Sequence, residues 1–250
     1  MIQGGGIWLS SSGTVLAQRL FAETTLGRIT VINTSSHWSG NYANTTGGSM
    51  ASGQLSREEA LACVGCRHAC HILLYADTEA QLFEEIPIRH IILMQMRFDG
   101  LLGFPGGLVD PSEESLEEGL SRELWEELGF SLSVTLEDHV SSCHNPSSHL
   151  ITHFYARRME EKEIREVERA AASTATDHGH EVMGMVRVPI YTLKGGEGGL
   201  PSFLSHSFIG NSRSQLEDAL VRFGLVTPEE LQTALTHAEQ RRKQLWGGAA

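Results

Sequence analysis

The sequence predicts a layered α/β domain, on three observations. Compact, partly β-branched apolar runs alternate with amphipathic stretches of helical period. Turn residues such as Asp77 and Asp99-Gly100 close the apolar runs, as expected of buried strands. One central segment carries both a start signal and a stop signal for a long helix.

Residues 1 to 49 hold only three charged side chains, Arg19, Glu23 and Arg28, amid Ser, Thr, Gly and Asn, with no sustained period. A disordered extension is expected there, with its boundary drawn at residue 54. Met50 could serve as an alternative start. Ser56-Arg57-Glu58-Glu59 is a capping box opening a short helix through Leu61. His71 to Tyr75 and His90 to Met96 read as buried strands, and a glycine loop follows at 103 to 107. A long helix is expected from about 111 to 128, then an alternating strand over 150 to 157. A charged helix around 160 to 171 turns Ile164 and Val167 inward, and 181 to 189 reads as another strand. Lys194-Gly195-Gly196-Glu197-Gly198-Gly199 is expected to be a flexible connector whose glycines make turns, because no strand-loop-helix frame surrounds them to form a phosphate cradle. A closing amphipathic helix opens at Thr227-Pro228-Glu229-Glu230, with Leu231, Leu235, Ala238 and Leu245 on one stripe. The expected organisation is 1–54 extension, 55–225 folded α/β domain and 226–250 helix.

The 250 residues carry 19 basic and 31 acidic side chains, a net charge of −12. That field repels polyanions, so RNA contact would rest on local arginines such as Arg67, Arg89, Arg97 and Arg213. No run approaches the roughly 20 apolar residues of a membrane helix, and no membrane partner is expected. Cys63, Cys66, Cys70 and Cys143 are expected as reduced thiols without disulfides.

The chemistry concentrates after the glycine loop. Asp110, Pro111 and Glu113 are expected to cap the helix, and Gly129 to end it. Leu116, Leu120, Leu124 and Leu128 form an inward stripe. Along its border Glu123, Glu126 and Glu127 share an arc of about 100°. Like charges so spaced repel, and hard oxygen donors on a rigid helix suit Mg²⁺ or Mn²⁺, ions that assist pyrophosphate cleavage. Gly119, one turn earlier, suggests a close approach to the helix backbone, and Arg122 stands ready to orient the acids.

Gly107 followed by Arg122-Glu123-Leu124-Trp125-Glu126-Glu127-Leu128-Gly129-Phe130 resembles the Nudix box. One residue is inserted in the loop arm, leaving open which of Glu113 and Glu114 takes the box's first carboxylate position. Further runs, among them Arg67 to His71, Ile92 to Gly100, Leu102 to Gly107, Asp177-His178-Gly179 and Phe208-Ile209-Gly210, resemble the Nudix branch that decaps small nucleolar RNA and hydrolyses inosine diphosphates. The resemblance covers about residues 55 to 225. It implies an α/β/α Nudix sandwich with a mixed sheet, usually homodimeric, working in the nucleus, nucleolus and cytoplasm on nucleoside diphosphates or capped RNA. It further implies divalent ions held by the Gly106 carbonyl, Glu123, Glu126, Glu127 and, after Gln215, Asp218. His71, Arg97, Phe104 and Gln215 would meet the nucleotide. Arg97 suits a phosphate and Phe104 could offer a face to a base, although packing is its default role. For the general base, Glu126, His144 and Glu181 are all open.

Two rivals stand beside this reading. Cys63-x2-Cys66-x3-Cys70 with His68 and His71 could be a zinc knuckle, but tetrahedral sites usually draw ligands from separated pairs and this cluster runs straight into a strand. The chain also resembles a degenerate Nudix branch of RNA- and protein-binding regulators, chiefly in its closing helix. That branch has lost box carboxylates, whereas Glu123, Glu126 and Glu127 are all present here.

Overall fold

A computed structural model describes residues 53–145, 147–196 and 198–246. In chain order these form β1 (Gln54–Leu55), α1 (Arg57–Leu61), β2 (Arg67–Asp77), β3 (Gln81–Leu82), β4 (Ile86–Pro87), β5 (His90–Arg97), β6 (Leu102–Gly103) and β7 (Gly106–Val109). There follow α2 (Leu116–Leu128), β8 (His139–Asn145), β9 (Leu150–Arg158), α3 (Glu161–Ser173), β10 (Val182–Arg187), α4 (Leu200–Leu204), α5 (Ser212–Arg222) and α6 (Pro228–Trp246). The stretch expected to be disordered, apart from its last two residues, and Met50 lie outside the described residues.

The main sheet runs β1-β8-β9-β2-β5-β10, with β6 joined to β5 and β7 to β2. It is mixed, because β2 and β9 are parallel while the other pairs are antiparallel. Side chains alternate across it with period two. Ile72, Leu74, Ala76, Ile91 and Leu93 face α2 and α3, burying Leu116, Leu120, Leu124, Leu128, Ile164, Val167 and Ala171. Leu73, Ile92 and Met94 face the other way, onto Leu204, Leu216, Leu220, Leu231 and Ala234 of α4, α5 and α6. The result is the expected α/β/α sandwich.

One topological detail positions the site. Along one edge, the first half of β2 pairs with β7, from His68↔Val109 to His71↔Gly106. The second half pairs with β5, from Leu74↔Leu93 to Asp77↔His90. Two partners share one edge, so they part at Ile72, whose N–H instead donates to the Pro105 carbonyl at 3.0 Å. Through this fork α2 reaches the backbone at Gly106.

Several expectations change. The long helix begins at Leu116, because Ser115 and Glu118 form the capping box, with the Glu118 N–H donating to Ser115 Oγ at 3.2 Å. Asp110 instead accepts from the Ser112 N–H at 2.9 Å, which turns the chain before the helix. Gly129 ends it as expected, at φ 59°. Gln54 pairs with Cys143, so regular structure starts inside the stretch assigned to the extension. The glycine connector is docked: His237 Nδ1 lies 3.0 Å from the Gly196 carbonyl oxygen. Its glycines do make turns, with φ of 92° at Gly195 and 77° at Gly196. The closing helix is an integral layer, with Leu231, Ala234 and Ala238 buried. The side chain of Leu245 lies outside the described residues. Cys63 and Cys66 sulfurs are in bonding contact, against the expectation of no disulfide; the local turn that Gly65 makes at φ 79° brings their Cα atoms to 5.8 Å. No described helix is long and apolar enough to cross a membrane.

Candidate active site

Glu127 is the most constrained of the three box acids. Its Oε2 accepts from the Gly106 N–H at 2.7 Å and its Oε1 from Gln95 Nε2 at 2.9 Å. The residue is 5% exposed, and burial pushes its carboxyl up to about 8. Gln95 thus holds a site residue, a role its place within an apolar strand concealed. The other amide atom, Gln95 Oε1, is buried without a partner.

Glu123 is held differently. Arg122 Nη1 donates to its Oε1 at 2.7 Å, while Arg122 Nη2 and Nε donate to Glu114 at 2.9 and 3.3 Å. Of the two acids beside the inserted residue, Glu114 is the one that meets the site, through a bidentate grip on Arg122. Burial raises the Glu123 carboxyl against the opposing pull of Arg122, and Glu126 and Glu181 add to the rise. Glu126 is the outermost acid, with Arg122 Nη1 3.6 Å away. The three acids share one arc as the spacing predicts, but Glu123 and Glu126 lean on Arg122 while Glu127 is held by Gln95 and Gly106, and they do not close on a common point. Among the described residues they do not form a compact ligand group.

Glycines set the approach distances. A Cβ on Gly107 would collide with the Glu123 carboxylate, and one on Gly106, at φ 127°, with the Cys70 carbonyl. Gly119 is needed because Val109 and Glu114 press on it, so the close approach is by the chain's own loop arm. The cradle at Gly107 and the all-oxygen donor set fit a hard divalent cation.

The nucleotide residues implied by the resemblance divide. His71 and Arg97 come together: the imidazole is pushed down to about 4, first by burial and then by the Arg97 charge, so it is neutral near pH 7. Arg97 is held by Asp99, with Nε and Nη2 both 3.3 Å from Oδ2. Phe104 is 2% exposed and packs on Phe154 at 5.0 Å, a core position without a free face. The exposed ring is Phe98, with the Arg97 guanidinium 5.3 Å from its centroid. Gln215 is half-buried on α5. Asp218 points to solvent 4.0 Å from Arg222 and is not among the main charges acting on Glu123 or Glu127. The resemblance alone implied it, and its face of α5 turns outward.

Of the general-base candidates, Glu126 and Glu181 act on Glu123, whereas His144 Nε2 lies 3.7 Å from Cys66 Sγ. Asp177 is a further acid here, acting on Glu127 and donating its N–H to the Glu126 carbonyl at 3.2 Å. Of the arginines suggested for RNA, Arg89 pairs with Glu230 at 3.2 Å and Arg213 with Glu217 at 2.8 Å.

The family model described as "Nudt16-like: U8 snoRNA-decapping enzyme-like" matches residues 68–226, well over half of the chain. The chain belongs to this Nudt16-like family. It is a Nudix hydrolase, and such enzymes in general depend on divalent metal. The Nudt16-like chain is 51% identical to the U8 snoRNA-decapping enzyme of Xenopus laevis over 185 residues, which is 72% of this chain and 87% of that relative. It is 53% identical to the decapping enzyme of Mus musculus, over 65% of this chain and 84% of the relative. It is also 46% identical to the Tudor-interacting repair regulator protein of Mus musculus, over 76% of this chain and 90% of the relative. Both kinds of relative are therefore similar to it, and the box residues must separate them.

Proposed function

We propose that this Nudt16-like hydrolase uses Mg²⁺ or Mn²⁺ to cleave the diphosphate of inosine-type nucleoside diphosphates and of capped RNA. The observation that carries this is the intact acid set: Glu123, Glu126 and Glu127 are all present, with Arg122, Glu114, Gln95 and Gly106 holding two of them in place. Like charges at helical spacing repel, and beyond the contacts of Arg122 to Glu123 and Glu126 a bound cation would relieve that repulsion. Glu123, Glu126, Glu127 and the Gly106 carbonyl would hold the ion, which would lower the pKa of a water and offset phosphoryl charge.

The chain's own groups account for the rest. Arg97 exchanges Asp99 for a substrate phosphate, which it can grip bidentately. His71, neutral at physiological pH, offers a hydrogen bond without adding charge. Phe98, exposed beside Arg97, gives a base a ring to stack on. Glu181, close enough to act on Glu123, can take the proton of the attacking water, as can Glu126. Action in the nucleus, nucleolus and cytoplasm as a homodimer accords with this reading.

The test is a Mn²⁺-dependent assay on inosine diphosphate and on capped RNA, comparing the parent with Glu127→Gln. The parent should turn over and the variant should lose at least about a hundredfold, the scale expected when a site's metal grip is broken. Equal inactivity of the two would favour the binding regulator.

A further inference from the structure

Among the described residues, one group of cysteine, histidine or acidic side chains brings three ligand atoms within 4.8 Å of one another, and it lies outside the acidic helix: Cys63, Cys66 and His144. The two cysteines flank the turn between α1 and β2, and the histidine comes from β8, 78 residues later than Cys66. We propose that, with its thiols reduced, this group binds Zn²⁺ through Cys63 Sγ, Cys66 Sγ and His144 Nε2, leaving the fourth position to solvent.

The donor chemistry selects the ion. Thiolate and imidazole favour Zn²⁺ over the hard Mg²⁺ and Mn²⁺ that suit the box acids, so the two sites would not compete. Tetrahedral zinc, with Zn–S of about 2.3 Å and Zn–N of about 2.0 Å, places sulfur and nitrogen about 3.5 Å apart. Cys66 Sγ and His144 Nε2 are 3.7 Å apart. The sulfurs of Cys63 and Cys66, now in contact, must separate to about 3.8 Å to span the same tetrahedron. All three residues are half-buried, which leaves room for a fourth, water ligand.

This set differs from the knuckle suggested by the cysteine spacing. Cys70 is fully buried in the core under α2, and His68 Nδ1 pairs with His153 Nε2 at 3.0 Å. The third ligand comes from a strand distant in sequence, as tetrahedral sites usually require. Binding converts two thiols to thiolates, releases two protons and needs no oxidant. It would fasten the α1–β2 turn to β8 where β1 also lies, through Gln54↔Cys143 and the His144 N–H donating to the Gly53 carbonyl at 2.6 Å. The ion thereby keeps β1 over what would otherwise be an open sheet edge.

The experiment uses the full chain, reduced, stripped of metal and saturated with Mg²⁺. Zinc retained through desalting should amount to one equivalent per chain, and Co²⁺ in its place should give an intense thiolate-to-cobalt absorption band. Zinc should raise the melting temperature by roughly 5–10 °C at concentrations about a hundred times its dissociation constant. Cys63→Ser and His144→Asn should each abolish the retained equivalent and the band, while Cys143→Ser should keep both. The proposal is overturned if the reduced parent retains no zinc, if Cys63→Ser retains it, or if Cys63 and Cys66 stay joined after reduction.

Discussion

Replacing Glu127 with Gln should change how stability responds to pH. In the metal-free protein the buried Glu127 carboxyl titrates near 8, whereas in the unfolded chain it titrates near its ordinary 4.5. The folded state therefore holds a proton that the unfolded state has released. This group's contribution is fully present below the unfolded value and is lost as pH rises toward and through 8. His71 and His153, pushed down by burial to about 4 and about 3, act in the opposite sense: their contribution is present above about 6.5 and lost as pH falls. Above about pH 6.5 these two contribute little, so Glu127 is followed from about 6.5 to 8.5 as the difference between parent and variant. Across it, at about 1.4 kcal/mol per pH unit, Glu127 should cost the metal-free parent about 2 kcal/mol. That corresponds to roughly 4–8 °C in melting temperature for a chain of this size.

Gln is well suited to the substitution. A flip of the Gln95 amide would turn its unpartnered Oε1 toward the new NH₂ group, while the remaining carbonyl still accepts from Gly106. The assay is thermal or urea unfolding of parent and variant in chelator at several pH values. Other titrating groups are common to both proteins and cancel in the difference. Saturating Mn²⁺ should restore the parent at pH 8.5 and leave the variant unmoved. Parallel pH profiles for the two proteins would refute the reasoning.

Three further outcomes follow from the contacts around the site. Arg122→Lys keeps the charge but cannot hold Glu114 bidentately, so metal affinity measured by titration calorimetry should fall about 10–100-fold with the fold intact. Phe104→Ala should destabilise by about 3–5 kcal/mol in urea unfolding, whereas Phe104→Leu should leave KM for nucleotide unchanged; a large rise in KM in the Leu variant would restore the base-stacking role. Tyr155→Phe strips a hydroxyl that donates to Glu117 at 2.8 Å and accepts from Arg57 at 3.0 Å, and should cost about 1–2 kcal/mol, read by the same unfolding assay.

Much was legible in the sequence because the signals were local. The leucine stripe of α2, its Gly129 stop, the compact apolar runs of β2 and β5 and the alternation in β9 are read from the sequence alone, since each is a pattern within one element. The box acids and Arg122 were visible for the same reason. β8 was not, because His139 to Asn145 is mostly polar and becomes a strand only by pairing with β9 and β1. The helix start was misplaced because two cap signals lie five residues apart, and the one adjoining the leucine stripe wins.

The layered fold and an acidic helix able to take hard cations follow from patterns local to the chain. Which groups meet follows from how its elements pack. The fork in β2 puts the Gly106 N–H and Gln95 on Glu127, the loop arm brings Glu114 to Arg122, and β8 carries His144 to a cysteine turn far away in the chain. Spacing fixes faces within one element; contacts between elements depend on sheet order and packing, which no local period encodes.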